Sequence, residues 1–291
     1  MQAALALCRF AHFLSAMIAF GASAYVSLLA PIALRRPLWR SSRSLVLAAA
    51  LVALVSAAFW VAMESAEMAG EWSGAWDPDT VEGVLFDTAF GRVWQVRLLL
   101  CAMLIGAVAV RSETLRGPRT GLAALVLASL GLTGHAVMQT GAIGALHRGA
   151  DALHLLCAGA WIGGLPPFAL CLRACASGEL RGEAVTAMRR YSRYGHFFVG
   201  FVIVSGMTNV ALTIGGPPFP LSSPYRALLA TKMAIVASLA ALALLNRYVI
   251  VARWGLSATA LRALRTTSVI EIALGAVIVA LVSVFGLLDP T

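Results

Sequence analysis

The chain has 291 residues, of which 60% are apolar and only 12% charged, and its mean hydropathy is +0.86. A soluble domain carries about 25% charged residues, and a soluble chain this poor in charge would expose large sticky patches; lipid is the solvent that suits it. The net charge of +9 comes from 22 basic residues, all arginine except Lys232. They gather in short segments between apolar runs and are not interleaved with aromatics, so no nucleic-acid partner is expected.

A helix needs about 20 apolar residues to cross about 30 Å of hydrocarbon. Eight segments meet that demand: 3–30, 44–66, 90–110, 120–141, 151–172, 194–214, 226–248 and 267–288. The expected fold is therefore all-α, one polytopic transmembrane helical domain over 1–291 with about eight helices. Arg9 falls inside the first apolar run. A cleaved signal peptide has its charge before the apolar stretch, so 1–30 reads as a retained helix.

The connections alternate in charge along the chain. Segment 31–43 holds Arg35, Arg36, Arg40 and Arg43, whereas 67–89 holds Glu67, Glu71, Asp77, Asp79, Glu82 and Asp87 with no basic residue. Segment 111–119 is basic again (Arg111, Arg116, Arg119), 142–150 has His147 and Arg148, 173–193 has five arginines, 215–225 has no charge, and 249–266 has Arg253, Arg262 and Arg265. Arginine-rich connections stay in the cytoplasm, which puts both termini and the acidic segment outside. Trp72, Trp76, Trp94 and Trp161 on the outer side, and Trp39 and Trp254 on the inner, suit interfacial belts.

Ionisable groups at membrane depth are costly and mark function by default. At 1.5 Å per residue, His12 lies roughly 12–15 Å below the outer surface, His135 roughly 10 Å and His154 roughly 5 Å, so three helices bring an imidazole to the outer half. Cys8 precedes His12 by one helical turn, Met138 follows His135 by three residues, and Cys157 follows His154 by three. Met63, Glu64 and Met68 stand at the outer end of the second span. Thiol, thioether and imidazole suit Cu(I), and the carboxylates would collect Cu(I) or Cu(II). The same Met and Cys residues are also ordinary packing groups. A pair of these histidines could instead be the axial ligands of a b-type haem. Arg97 is expected to pair with Glu64 or Asp87, and Lys232 with Asp151. His196, Asn246, Arg247 and Glu271 gather near the inner surface. Gly159, Gly163 and Gly164, followed by Pro166 and Pro167, predict a kink. No phosphate-binding loop, HExxH or CxxC occurs, so neither an ATP-driven pump nor an enzyme is expected. The five cysteines give no disulfide framework.

The order Thr133-Gly134-His135-Ala136, His147, His154, Trp161-Ile162-Gly163-Gly164-Leu165, Arg190-Tyr191-Ser192-Arg193, Gly206 with Asn209, Lys232-Met233 and Asn246-Arg247 resembles the copper resistance protein D (CopD/PcoD-like) family of bacterial inner-membrane proteins. The resemblance implies copper handling in the inner membrane, import from periplasm toward cytoplasm, and a separate periplasmic CopC-type copper-binding partner. His135 and His154 match the family pattern by position. His12, Cys8 and Met138 are added from depth alone. The expected site is His12, His135 and His154, helped by Cys8, Met138 or Cys157, with His147 and the acidic segment receiving the ion and Glu64, Met63 and Met68 guiding it. Two other functions remain open: a haem b electron-transfer protein, and a factor that delivers copper on the outer face without transport.

Overall fold

The computed structural model describes residues 1–251 and 257–290, without the side chains of 176 and 177. Among the described residues every regular element is helical. Helix α1 (Gln2–Ala24) ends in a π-helical turn, Tyr25–Leu29, and α2 runs over Ile32–Ala69. A short α3 (Pro78–Asp87) leads into α4 (Ala89–Ala109) and α5 (Arg116–Ala128). Then come α6 (Gly141–Ile162), α7 (Leu165–Ser177), α8 (Arg181–Ile214) and α9 (Pro224–Leu245), which passes into a second π-helical turn, Asn246–Val251. Helix α10 spans Ala258–Phe285. Arg253 and Trp254 of the inner-side reading lie outside the described residues.

Seven stretches among the described residues are long and apolar enough to cross a membrane: Gln2–Leu29, Ile32–Ala69, Ala89–Ala109, Gly141–Cys175, Arg181–Ile214, Pro224–Val251 and Ala258–Phe285. The eighth expected span, 120–141, is different. Helix α5 stops after 13 residues and gives way to 3-10 turns at Ser129–Leu132 and Gly134–Val137. Beyond the first of these turns no helix can continue, because Thr133 is extended and Gly134 has φ +70°, a left-handed conformation. The segment nonetheless recrosses the bundle. Arg119 near its start donates to the carbonyls of Ala107, Val110 and Ser112, around the end of α4, and Ser129 past its end accepts from Arg97 in the first half of α4. The expected span 151–172 is also revised. Helix α6 begins at Gly141, so His147 lies on a helix and not in a loop. The predicted kink is a break at Gly163–Gly164, where Pro166 and Pro167 open α7 without amide protons to continue the ladder. The Tyr191 hydroxyl donates to the Trp161 carbonyl at this break.

Contacts define two ends. At the acidic end, Leu5 and Leu287 from the two ends of the chain share one apolar cluster with Cys8, Trp60, Met63, Val84 and Trp94. Here Asp77 caps α3, and hydrogen bonds from the Thr80 hydroxyl and then the Thr80 amide hold its carboxyl below the usual carboxylate range. At the arginine end, Arg190 donates to the Leu29 carbonyl. Helix α1 packs on α2, α5, α6 and α10. Its contact with α6 is made at glycines: a Cβ on Gly163 would run into the Met17 carbonyl, and one on Gly21 into the Gly159 carbonyl. Small residues of this kind let membrane helices touch backbone to backbone. Three expected belt tryptophans are core residues instead: Trp39, Trp94 and Trp161 are buried, and only Trp72 and Trp76 are exposed on the acidic side.

Candidate metal centre

His12 is completely buried, 0% exposed, on the face of α1 that meets α2. Its Nδ1 lies 3.0 Å from the Ala53 carbonyl and 3.0 Å from Ser56 Oγ. A carbonyl only accepts, so Nδ1 carries the proton. Nε2 is then the lone-pair nitrogen, and it is buried with no partner. A backbone carbonyl that fixes the tautomer and leaves the other nitrogen bare is the usual arrangement of a metal-ligating histidine. Cys8, one turn earlier, donates its thiol to the Ser56 carbonyl at 3.1 Å, so Ser56 ties both side chains to α2. Trp60 and Trp94 wall the imidazole at 6.0 and 6.2 Å between ring centres.

Arg97 is the neighbour that sequence reasoning misplaced. It is 0% exposed and pairs with neither Glu64 nor Asp87. Its guanidinium stacks on Trp94, 3.9 Å from the ring centre, and Nε donates to Ser129, while both terminal nitrogens have no partner. It lies within electrostatic reach of His12. Glu64 instead accepts from Trp60 Nε1 at 2.9 Å and lies near Arg9.

His154 turns the other way, toward α8. Its Nδ1 donates to the Val202 carbonyl at 3.0 Å, with Ser205 Oγ at 3.2 Å, so its Nε2 is likewise free of a proton. Gly206 leaves room for the ring: a Cβ there would stand 3.2 Å from His154 Cε1. One turn away Asp151 accepts from Asn209 at 2.9 Å and lies within electrostatic reach of Lys232, as expected.

His135 sits on the second 3-10 turn, edge-on to Tyr225 at 5.7 Å, and its Nε2 is buried without a partner. Arg9, Asp289 and His147 are its charged surroundings. His147, 2% exposed, bonds Gln139 Oε1 through Nδ1 at 2.6 Å, and Gln139 in turn donates to the Leu212 carbonyl.

His12, His135 and His154, expected to share one chamber, do not form a three-ligand cluster among the described residues. His12 faces α2 and His154 faces α8, because each ring follows its nearest backbone acceptor. Among the described residues no three His, Cys, Asp or Glu side chains form a group that could hold a metal ion. Of the sulfur residues, Met63 is buried in one cluster with Cys8, and Cys157 is buried on α6. Met138 and Met68 are 51% and 66% exposed. Sequence reasoning missed Ser56, Ser205 and Gln139, the groups that orient the imidazoles; serines at membrane depth opposite a histidine were the available signal. At the arginine end, Asn246 donates to Glu271, Arg247 to Ser192, and His196 bonds Tyr248, a hydrogen-bonded clamp.

Residues 1–145 match the copper resistance protein D-like N-terminal domain, and residues 185–285 match copper resistance protein D. The chain is 30% identical to the Copper resistance protein D of Pseudomonas syringae pv. tomato over 266 residues, 85% of this chain and 84% of that one. It belongs to the copper resistance protein D family. The Inner membrane protein YebZ of Escherichia coli (strain K12) is 34% identical over 97% of both chains. The Copper transport protein CutJ of Bacillus subtilis (strain 168) is 30% identical over 152 residues, half of this chain and 28% of that one. No solved structure matches. As a copper resistance protein D family member with seven helices long and apolar enough to cross a membrane among its described residues, the chain is a copper-related, multi-pass inner-membrane protein.

Proposed function

We propose that this protein binds copper from the periplasm and passes it toward the cytoplasm, without enzymatic chemistry. One observation carries the reading: His12 is locked by Ala53 and Ser56 with a bare, buried Nε2 beside Cys8. The cation Arg97 nearby disfavours a doubly charged ion, so the pocket suits Cu(I) balanced by a Cys8 thiolate, with Met63 in the same cluster. His135, with its bare Nε2 near the acidic end, and His147 form the entry, and His154 a later station along α6. The acidic end faces the periplasm in this reading, where Glu67, Glu71, Asp77, Asp79 and Glu82 gather cations and a CopC-type protein docks. The names of the relatives in Pseudomonas and Bacillus, copper resistance and copper transport, support the cargo.

The test is copper analysis of purified protein, with uptake into sealed vesicles. Wild type is expected to bind copper and to accumulate it. His12→Ala with Cys8→Ala is expected to lower the stoichiometry, and His135→Ala with His154→Ala to abolish uptake. Unchanged binding and uptake in both pairs sinks the site. Binding without flux leaves delivery on the outer face. A Soret band would report haem b instead.

A further inference from the structure

At the arginine end, the first turns of α2 and the link between α4 and α5 enclose a cleft of about 520 Å3. It is lined by Arg36, Trp39, Arg40, Arg43, Arg111 and Glu113, four guanidiniums against one carboxylate. The spacing explains the convergence. Arg36, Arg40 and Arg43 stand four and three residues apart, so they share one face of α2, and Arg111 comes off the end of α4 beside them.

The floor of this cleft is fixed and its charges are not. Arg43 donates through Nε to the Val108 carbonyl at 3.0 Å and through Nη2 to the Ala109 carbonyl at 2.7 Å, closing the carbonyl end of α4. Trp39 is buried, and the Arg119 guanidinium lies 4.7 Å from its ring centre while holding three carbonyls of the α4–α5 link. Arg36, Arg40 and Arg111 are exposed and make no hydrogen bond or ion pair to another described residue. Like charges held together repel, and guanidinium forks match phosphate oxygens in bidentate fashion.

Depth names the source of the phosphate. Helix α2 has 38 residues, about 57 Å at 1.5 Å each, which exceeds the about 30 Å hydrocarbon core. Its arginine-bearing start therefore stands at headgroup level, where phosphate is supplied by the bilayer itself. We infer that this cleft binds the headgroup of an anionic phospholipid, Arg36, Arg40 and Arg111 gripping its phosphate and Trp39 flooring the site. Basic pockets between membrane helices bind such headgroups. A lipid bearing two phosphates can engage all three free guanidiniums, which one phosphate would satisfy less completely. The bound lipid would tie α2 to α4 and α5. The inference is independent of copper.

The test uses the full chain in detergent, with native mass spectrometry after adding diphosphatidylglycerol, phosphatidylglycerol or phosphatidylcholine. Wild type is expected to retain diphosphatidylglycerol, phosphatidylglycerol less and phosphatidylcholine least. The triple variant Arg36→Gln, Arg40→Gln, Arg111→Gln is expected to lose retention about tenfold, whereas Arg189→Gln, Arg193→Gln, Arg262→Gln, with the same charge removed elsewhere at this end, keeps it. Should the first triple not fold, Arg36→Lys, Arg40→Lys, Arg111→Lys keeps the charge but not the forks, and weaker retention than wild type is the expected result. Equal loss in both Gln triples, full retention in the Lys triple, equal retention of phosphatidylcholine, or displacement of the lipid by millimolar inorganic phosphate overturns the assignment.

Discussion

His12 cannot choose its tautomer, because a carbonyl at 3.0 Å leaves Nδ1 only one role. Outer-shell partners of this kind change metal affinity by about 10–100-fold when lost. Ser56→Ala is therefore expected to weaken Cu(I) binding by about tenfold in a competition titration, while Ser65→Ala, whose hydroxyl only bonds its own helix at Val61, leaves it unchanged. Arg97 poses the opposite question. Its two terminal nitrogens are buried and unpartnered, and an unpaired buried charge costs several kcal/mol. Arg97→Met is expected to hold or raise the melting temperature while altering copper uptake; a fall of several degrees would show that the guanidinium is structural. The sequence made His12 and Cys8 visible as one helical face. It could not show Ala53 and Ser56, some forty residues away, nor that His154 turns toward α8. Which way a ring points depends on which helix lies beside it, and hydropathy carries no azimuth.

The position of α4 was readable, expected at 90–110 and found at Ala89–Ala109, whereas α2 and α10 begin at Ile32 and Ala258, well before their expected starts at 44 and 267, because the arginine-bearing turns taken for loops are helical too. The helix end was not readable at 120–141, because Gly131, Thr133 and Gly134 lie within a stretch whose average hydropathy looks continuous, and a window average is blind to one residue at φ +70°. The start of α6 was hidden because Arg148 and the glycines around it read as a polar connection, which is why His147 was taken for a loop residue. The α1–α6 glycine contact gives a sharp test. Gly163→Ala puts a methyl into the Met17 carbonyl, whereas Gly200→Ala on α8 meets nothing within 4 Å. Overpacking costs about 1–3 kcal/mol, and relieving an interior helix glycine returns about 0.5–1 kcal/mol. Gly163→Ala is expected to lower the melting temperature by several degrees, and Gly200→Ala to hold or raise it, in a thermal-shift assay.

Across the whole molecule, both chain ends and the carboxylates share one end, and the arginines that hold α2, α4 and α5 together share the other. All five native cysteines are buried, so introduced thiols report alone. With the arginine end inside, Ser73→Cys is expected to react with an impermeant maleimide in intact cells and Arg40→Cys only after lysis; the reverse pattern inverts the topology. The contact at Gly21, Gly159 and Gly163 also says which parts cannot move separately. Two backbones pressed together leave no layer of side chains to absorb sliding, so α1 and α6 form one strut. In the most apolar part of α8, and of α9, only 11% of the residues are buried, against 56% for α6–α7. The outer faces of these two helices are therefore left to lipid, while His154, on the strut, fastens α8 to it through the Val202 carbonyl.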